Sequence, residues 1–429
     1  MSFPILPCRV AVLALALFMG APSRAAEPLT LAEAQRLAVS HSLQLVAQDA
    51  LALAAREQGA ASSRLPDPVL RLGIDNLPVT GPDRGSLGRD SMTMRRIGLS
   101  QELPRLDKRQ RRAERFEREA EQALAVGEGL RATVQQDATL AWLDSYYTQA
   151  MQEVLAQRLE TSQRQVQAAD SAFRTGRGAQ ADVFAARSSL LDLQQQASQL
   201  AQRLRGAGLT LARWVGAEAA RRTPAGPLPP WHTLPAQADD SRAFVLQHPE
   251  LLAMAAEIDV AQLDVRLAEA AQRPDWSVEA SYSQRGPGFS SMVSLGVSVP
   301  LQWDAKNRQN RELAGQLARV DAARARHEDR LRSRQAEVQG LRNDWQAGHE
   351  RLARHHDTLL PAAQQRAEAA LTGYRTGKGD LASVLAAQQT ELEVRMQALT
   401  LALDTSRIWA QLRFLAPEPR TALAETFKE

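Results

Sequence analysis

The chain carries the same order of segments twice, and this repeat limits its possible folds more than any other feature. The glycine-rich basic segment AFRTGRGAQADVFAA at 172–186 returns as GYRTGKGDLASVLAA at 373–387. Two earlier segments recur in the same order: VSHSLQLVAQDALALAA from Val39 matches LQHPELLAMAAEIDVAQ from Leu246, and SRLPDPVLRLGID from Ser63 matches AQRPDWSVEASYS from Ala271. The offset is about 200 residues each time, so the sequence predicts one duplicated structural unit.

Each unit contains a long helical stretch that is interrupted by the glycine-rich turn. No proline occurs between Arg105 and Thr223, and a helix from Asp107 to the turn at Gly176 would be about 100 Å long. Hydrophobic residues make up 44% and aromatic residues only 5% of the chain, which favours long helices packed in thin layers over one large core. Apolar residues with the 3–4 spacing of a coiled-coil seam predict sideways packing against other helices; they are Leu140, Leu143, Tyr147, Ala150 and Val154. We therefore expect two antiparallel helical hairpins with their tips at the glycine turns, and a kink or restart of the second arm at Pro361.

After Pro66 and Pro274 the helical period gives way to alternation of apolar and polar residues, which predicts one β-hairpin in each unit. In the second unit the apolar positions are Trp276, Val278, Ala280 and Tyr282, followed by Phe289, Val293, Leu295, Val297 and Val299. In the first unit the alternation changes phase at Arg95–Arg96, which predicts a bulge or the point where the strand leaves the sheet.

Strands of about ten residues with one apolar face and one Ser- and Gly-rich face are typical of outer-membrane barrels. The alternative is a pair of surface hairpins packed on a helical domain. Four strands cannot close a barrel, since the smallest membrane barrels need about eight. A membrane role would therefore require several chains to share one barrel.

The N-terminus predicts export from the cytoplasm. Arg9 precedes an apolar run at 10–19 that is followed by the small-residue segment SRA, so residues 1–25 are predicted to be a signal peptide. The single cysteine, Cys8, lies within it, which predicts a mature chain without a thiol, a disulfide or a lipid anchor. No other run approaches the roughly twenty apolar residues of a membrane helix. Removal of Arg9 and Arg24 lowers the formal net charge from +3 to +1, and basic residues are interspersed with acidic ones, so nucleic acid is not expected as a partner.

The predicted domain organisation follows the duplication, with a first repeat at 26–230 and a second at 231–429. The first repeat is predicted to hold a β-hairpin at about 66–104 and a helical hairpin at about 105–215, and the second a β-hairpin at about 274–301 and a helical hairpin at about 302–410. Proline and polar residues are concentrated at about 216–245 and 411–429, which predicts irregular equatorial or linker segments outside the helical packing.

The signal peptide, the duplicated order of elements and the segment YRTGKGDLASVLAAQQTELE at 374–393 resemble the TolC family of outer-membrane efflux channels over essentially all of residues 27–415. The segment DPVLRLGIDNLPVTGPDRGSLGRDSMTMRRIGLSQELPR at 67–105 further resembles the heavy-metal branch typified by CzcC and CusC. The resemblance implies a mainly α fold with a small β part, assembled as a homotrimer. Long antiparallel coiled-coil helices would form a periplasmic α-barrel, and four strands per chain would contribute to a shared twelve-stranded β-barrel in the outer membrane.

The same resemblance implies the function and the partners. The channel would be the passive exit duct of a tripartite efflux system that exports heavy-metal cations. It would be surrounded by outer-membrane lipid and would dock to a periplasmic adaptor, also called a membrane fusion protein, and through it to an inner-membrane pump of the RND type.

The resemblance also implies that the two helical tips form the periplasmic mouth and dock the adaptor. The matching residues are Arg174, Thr175, Gly176, Arg177 and Gly178 in the first tip and Arg375, Thr376, Gly377, Lys378 and Gly379 in the second. Glycine permits a left-handed backbone and the close approach of another chain. The alternative is that these glycines only cap the hairpins and that Arg177 and Lys378 are solvated charges.

Related channels narrow the closed mouth with carboxylates near the tips, so Asp182 and Asp380 are candidate gate residues. The position equivalent to Asp182 in the second unit is Ser383, so the family's gate does not transfer whole. The alternative is that both aspartates cap helix N-termini.

No catalytic, cofactor or metal site is predicted. The sequence has no phosphate loop, nucleotide fingerprint or nucleophile elbow. His355 and His356 follow His349 at spacings of six and seven residues, about two helical turns, which is too far for one shared ion.

Other functions remain open at the level of sequence. One is a TolC-like channel for drugs, organic solvents or type I secretion. A periplasmic adaptor also carries a coiled-coil hairpin, but only one, inserted in small β domains. A structural coiled-coil protein of the envelope would not need four alternating strands.

Overall fold

The computed structural model describes residues 27–235 and 242–415. The predicted signal peptide, residues 236–241 of the predicted linker and residues 416–429 of the predicted tail lie outside the described residues. The helices are α1 Leu31–His41, α2 Leu43–Ser62, α3 Leu106–Arg174, α4 Gln180–Val215, α5 Arg242–Val245, α6 Pro249–Ala271, α7 Gln309–Arg354, α8 Leu360–Arg375 and α9 Leu381–Phe414. The strands are β1 Val69–Asp75, β2 Met94–Leu103, β3 Trp276–Gln284 and β4 Met292–Ser298. The predicted fold class, mainly helical with a small β part, is confirmed.

α3 is the longest element and sets the length of the molecule. It runs for 69 residues without a proline, which corresponds to about 100 Å at 1.5 Å per residue. The apolar clusters along it join α3 to α4 and α9; one consists of Met151, Leu155, Leu193, Leu200 and Leu392. Within the predicted seam, Leu143 and Tyr147 are buried. The long helices therefore bury narrow stripes side by side, as the 3–4 spacing predicts. Among the described helices, none combines the length and the apolar composition needed to cross a bilayer.

The arm that contains α7 and α8 is interrupted by a single π-helical turn at His355–Leu359, directly before Pro361. Proline has no N–H to donate to the carbonyl four residues earlier, and its ring collides with the preceding turn. One turn with i→i+5 bonding accommodates this loss, and α8 then starts with Pro361 in its first turn. The predicted restart of the helix at Pro361 is confirmed.

The largest core cluster lies near the middle of α3 and toward the C-terminal ends of α4 and α9, and three tryptophans connect it to the chain segments that cross it. Trp142 Nε1 donates to the carbonyl of Leu29 at 2.8 Å, Trp345 Nε1 to Trp231 at 3.0 Å, and Trp409 Nε1 to Thr233 at 3.1 Å. Each indole thus buries a large apolar surface while its N–H stays hydrogen-bonded.

The prediction that the segment from 216 onward lies outside the helical packing is wrong for its described part. Residues 222–235 contain no helix or strand, but Trp231 among them is only 4% exposed and belongs to the largest core cluster together with Trp142 and Trp409. Proline-rich composition predicts the absence of regular structure, but it does not predict solvent exposure. The large apolar surface of one indole is enough to hold this segment in the core.

His248 caps the N-terminus of α6 and lies in a charged, buried environment. Its Nδ1 accepts a hydrogen bond from the N–H of Glu250 at 3.2 Å, so the neutral imidazole is the form that caps the helix. Burial and the nearby guanidinium of Arg334 lower the pKa of His248 to about 4, against the opposing effect of the Glu250 carboxylate. Glu250 is itself paired with Arg330 at 2.7 Å.

We expect acidification to destabilise the protein through His248. Between about pH 6.5 and pH 4 the unfolded imidazole binds a proton while the native one does not, so the free energy of unfolding falls as the pH falls through this window. The full shift corresponds to about 3 kcal/mol. Thermal unfolding in detergent at several pH values should show a weaker pH dependence for His248→Asn, since Asn retains the cap without titrating. Equal pH dependence in the two proteins would contradict this assignment.

Candidate channel and docking surfaces

The two hairpins form one antiparallel sheet in the order β1-β2-β3-β4. β2 and β3, which belong to different halves of the chain, pair along their length, with Leu103 opposite Trp276 and Arg95 opposite Gln284. Directly opposite residues in a ladder point to the same side of the sheet, so the register fixes the composition of both faces.

One face of the sheet is mainly apolar and exposed across all four strands, with the polar Gln101 of β2 opposite Val278 of β3. It carries Leu70 and Leu72 of β1, Ile97 and Leu99 of β2, Trp276, Val278, Ala280 and Tyr282 of β3, and Val293, Leu295 and Val297 of β4. Leu295 is 82% exposed. A continuous apolar surface of this kind on a sheet is unfavourable in water and is typical of a surface that contacts lipid or another protein.

The opposite face is polar and carries ion pairs that cross between strands. Arg71 of β1 approaches Glu279 of β3 at 3.5 Å, and Arg96 of β2 contacts Asp75 of β1 at 3.1 Å. Ser281 and Ser283 lie on this face and are buried. The alternation was evident from the sequence, but these ion pairs became visible only with the strand register, because their partners are far apart in the chain.

Two details of the strand prediction were wrong. β2 has no bulge and does not leave the sheet at Arg95–Arg96, since the pairing with both β1 and β3 continues through these residues. Arg95 is the second residue of β2 and lies on the apolar side of the sheet. It is at the loop end of the sheet, beyond the last apolar residue on that side of β2, Ile97. Phe289 lies in the turn before β4, because the ladder begins only at Met292.

A close contact between the two hairpin loops was not predicted. A Cβ atom at Gly286, in the β3–β4 turn, would lie 1.8 Å from the carbonyl oxygen of Gly88, in the long β1–β2 loop. Only glycine fits at this position. No local pattern indicates such a contact, since it depends on the two loops meeting at the same end of the sheet.

The first helical tip has a left-handed turn that requires glycine. Gly176 has φ of 73°, and its N–H donates to the carbonyl of Phe173 at 2.9 Å. The N–H of Arg177 donates to the carbonyl of Ala172 at 2.9 Å, which closes the end of α3. At position 178 glycine avoids a steric clash, since a Cβ there would lie 3.0 Å from the Cβ of Ala172.

The second tip repeats this geometry. Gly377 has φ of 71° and donates to Tyr374 at 3.0 Å, while Lys378 donates to Gly373 at 2.9 Å. A Cβ at Gly379 would approach the backbone of Gly373 to 3.3 Å. The threonine of each tip also bonds identically: Thr175 Oγ1 and Thr376 Oγ1 each donate to the carbonyl four residues earlier at 3.0 Å.

The structure brings the two tips side by side. The last turns of α3 and α8 and the first turns of α4 and α9 share one apolar cluster, which contains Ala169, Val183, Ala186, Leu381, Val384 and Leu385. Phe173 and Phe184, which flank the first tip, remain exposed. No atom outside the local chain lies within 4 Å of a Cβ built at Gly176 or Gly377, so both turns present an open surface.

The basic residues of the tips differ in their partners. Arg174 pairs with Asp170 at 2.7 Å, and Arg177 Nε donates to Thr175 Oγ1 at 3.3 Å. Within the described part of the chain, Arg375 and Lys378 form no ion pair. The paired tips therefore offer a basic surface with two cations free to bind a partner.

The candidate gate aspartates both bond within their own tip. Asp182 Oδ2 accepts from the N–H of Ala179 at 3.3 Å, and Asp380 Oδ1 accepts from the N–H of Ser383 at 2.6 Å. This backbone hydrogen bond lowers the pKa of Asp380. Both carboxylates thus act as helix caps in the single chain, and their role in gating remains a prediction.

The histidines of α7 and the π-helical turn do not form a metal centre. His349 stacks on Trp345 with ring centroids 5.3 Å apart, and His355 lies within the π-helical turn. Across residues 27–235 and 242–415, no group of three or more His, Cys, Asp or Glu side chains could hold a metal ion.

Comparison with known proteins agrees with this architecture. Residues 243–416 match the family of outer membrane efflux proteins. The cobalt-zinc-cadmium resistance protein CzcC of Cupriavidus metallidurans is 25% identical over 380 residues, which span 88% of this chain and 87% of CzcC. The structure of CusC superposes with a TM-score of 0.74 at 15% identity over 90% of this chain and 92% of CusC. The CmeC outer membrane channel of Campylobacter jejuni gives a TM-score of 0.74 at 14% identity over 99% of this chain and 98% of CmeC.

The long helices, the sheet with its exposed apolar face and the superposition show the fold of these channels. Together with the sequence matches, this fold defines an outer-membrane channel protein whose helical part lies in the periplasm. Residues 243–416 carry the outer membrane efflux protein domain, and the chain is similar to CzcC over 88% of its length. Members of this family are passive channels, so the protein is a conduit and not an enzyme.

In the assembled protein, we expect the apolar face of the sheet to contact lipid and the polar face to contact water. Single cysteines at Leu295 and Val297, on the exposed apolar face, should react with lipid-phase labels, while a cysteine at Ser294 should react with membrane-impermeant aqueous labels. Neighbouring positions on β4 provide the control, since they share the same depth but not the same face. The reverse labelling pattern would refute the assignment of the faces.

Proposed function

We propose that the protein is the outer-membrane exit channel of a tripartite exporter of heavy-metal cations. The observation that carries the proposal is the match to CzcC, a cobalt-zinc-cadmium resistance protein, over 88% of this chain. The segment at 67–105, which resembles the same branch, forms β1, the long loop and β2. The channel supplies a path and performs no chemistry on its cargo, so it need not chelate the metal.

In the proposed assembly three chains form one pore. The four-stranded sheet has two open edges, β1 and β4, each with unpaired backbone groups. Such edges are unfavourable in a membrane, where every backbone N–H and C=O must be bonded within protein. Pairing β4 of one chain with β1 of the next removes them, and three chains give a closed barrel of twelve strands. The polar face, with Arg71, Glu279 and Arg96, then lines the lumen.

The tips are proposed to dock the periplasmic adaptor, which links the channel to an inner-membrane pump of the RND type. Three features support this role: the open surface at Gly176 and Gly377, the free cations of Arg375 and Lys378, and the exposed Phe173 and Phe184. A partner with apolar side chains and acidic groups at the ends of helical hairpins would fit this surface.

The assembly is tested by the mass and location of the mature protein. We expect a trimer in the outer-membrane fraction, extracted in mild detergent and measured by light scattering corrected for bound detergent. A periplasmic monomer or dimer would mean that the strands are surface hairpins, and the proposal would then be abandoned.

A further inference from the structure

The segment between β4 and α7, residues 299–308, holds the most exposed large hydrophobic side chain of the described residues. Trp303 is 89% exposed, and Leu301 beside it is 67% exposed. Gln302 between them is anchored, since its Nε2 donates to the carbonyl of Ala271 at 2.9 Å. The segment is therefore tied to the end of α6 while two large apolar groups point away from the protein.

These two side chains continue the apolar face of the sheet. Along β4 the apolar residues Val293, Leu295 and Val297 occupy odd-numbered positions on the exposed face. Leu301 and Trp303 follow the last residue of β4, Ser298, by three and five residues, so both lie close to the end of the apolar face that is nearer the helices. Trp276, the first residue of β3, lies on this face at the same end of the sheet.

Two basic residues follow within five positions of Trp303. Asp304 lies between them and Trp303, and its Oδ1 accepts from Asn307 Nδ2 at 2.9 Å. Lys306 and Arg308 are exposed and form no ion pair within the described part of the chain. At the same end of the sheet Asp275 is neutralised, because its Oδ2 accepts from Lys108 Nζ at 2.7 Å. Lys306 and Arg308 are thus the cations of this segment that are left without an ion-pair partner in the described part of the chain.

From the sheet toward the helices, the chain presents an aliphatic surface, then an indole, then free cations. This order matches the profile of a bilayer leaflet, from hydrocarbon through the interface to the phosphates. Tryptophan prefers the interface because its ring is apolar and its N–H is polar, and basic side chains near a membrane surface are attracted to anionic headgroups.

We propose that Leu301, Trp303, Lys306 and Arg308 form a collar that seats the channel in the headgroup layer of the periplasmic leaflet and binds anionic phospholipid. Leu301 and Trp303 lie at the hydrocarbon boundary, and Lys306 and Arg308 contact lipid phosphates. The collar fixes the depth of the sheet in the membrane and therefore the distance from the membrane to the helical tips. It rests on the placement of the apolar sheet face in lipid, which is part of the proposed function.

The first test measures the depth of position 303. The only cysteine of the sequence is Cys8, in the predicted signal peptide, so Trp303→Cys can be labelled alone with an environment-sensitive fluorophore in the full mature trimer. In phospholipid nanodiscs, lipids with a quencher near the headgroup should quench this label more than lipids quenched at the chain ends. Leu295→Cys should show the opposite order, and Arg177→Cys at the tip should respond to neither quencher.

The possible outcomes distinguish failure of the collar proposal from failure of the membrane placement of the sheet. If the label at 295 is quenched and the label at 303 is not, the collar is wrong while the membrane placement of the sheet stands. If neither label is quenched, the membrane placement fails as well. Crosslinking of Trp303→Cys between copies of the chain, or to another protein, would also overturn the proposal, since the side chain would then be covered by protein.

The second test measures the preference for anionic lipid. Lys306→Gln with Arg308→Gln should reduce the association of spin-labelled phosphatidylglycerol, relative to phosphatidylcholine, by up to about fivefold for each residue changed. The matched control is Arg319→Gln with Arg324→Gln, which removes the same charge from α7 roughly 16 Å or more farther along the helix, beyond the screening length of about 8 Å at physiological salt. Equal lipid preference in the two double variants would contradict the assignment of the headgroup contacts.

Discussion

Gly377→Trp at the second helical tip is expected to reduce export to the level of a strain that lacks the protein, while the trimer still forms in the outer membrane. Gly377 has φ of 71° and no neighbouring atom within 4 Å of its Cβ position, so an added side chain extends outward from the tip. The backbone strain of a non-glycine residue there costs roughly 1–2 kcal/mol, which is small for an assembly held by long helices. The bulk of the indole, placed where the adaptor is proposed to dock, is the larger effect.

A control substitution distinguishes the effect of side-chain bulk from the effect of backbone strain. Asn tolerates the left-handed conformation better than other residues and is small, so Gly377→Asn should retain most of the export that Gly377→Trp loses. Gly176→Trp and Gly176→Asn provide the same comparison at the first tip, whose hydrogen bonds repeat those of the second. Trimer content is measured in the same membranes. Normal export with either tryptophan variant would remove the docking assignment, and equal loss with Asn would indicate a fault in the turn itself.

Deletion of the gene is expected to sensitise cells to heavy-metal cations, with copper, silver, zinc, cobalt and cadmium as the set to test. The expectation follows from the match to the cobalt-zinc-cadmium resistance protein CzcC over most of both chains. An exporter without its exit channel cannot deliver cargo across the outer membrane, so tolerance should fall to that of a strain without the exporter. Growth over a concentration series of each metal measures the effect, and complementation with the wild-type gene should restore it.

Complementation with Gly377→Asn and Gly377→Trp links the two experiments, because only the first should restore metal tolerance. The same strains are challenged with drugs and organic solvents. Unchanged metal tolerance together with drug or solvent sensitivity would favour a general drug channel, and the cargo proposal would then be withdrawn while the channel fold stands.

The sequence predictions that were confirmed depend on interactions between residues close together in the chain. The break at Pro361, the long uninterrupted α3 and the mainly helical fold with four strands follow from hydrogen bonds between residues at most five apart, or from alternation along a single strand. The resemblance that identified the family depended on the same local patterns, repeated in order.

The sequence predictions that failed concern residues whose environment is formed by other parts of the chain. The change of phase at Arg95–Arg96 did not interrupt β2, because pairing with a strand on each side holds it in register. Trp231 entered the core despite its proline-rich segment, since its burial depends on a cluster formed by α3, α4 and α9, which come from both halves of the chain. For the acidic residues near the tips, the sequence left open a gate role and a capping role. The structure shows both carboxylates bonded to the backbone of their own tips, and the gate role stays a prediction.

The sequence by itself determined the duplicated order of elements, the long helices with their glycine turns, the restart at Pro361 and the alternation along most of the strands, because each of these depends on residues close together in the chain. Tertiary structure alone decided that the two hairpins join through β2 and β3, that the two tips share one apolar cluster, and that Gly286 must pass close to Gly88. These contacts join residues far apart in sequence. Their free energy depends on the surfaces that meet, and no local pattern encodes which surfaces those will be.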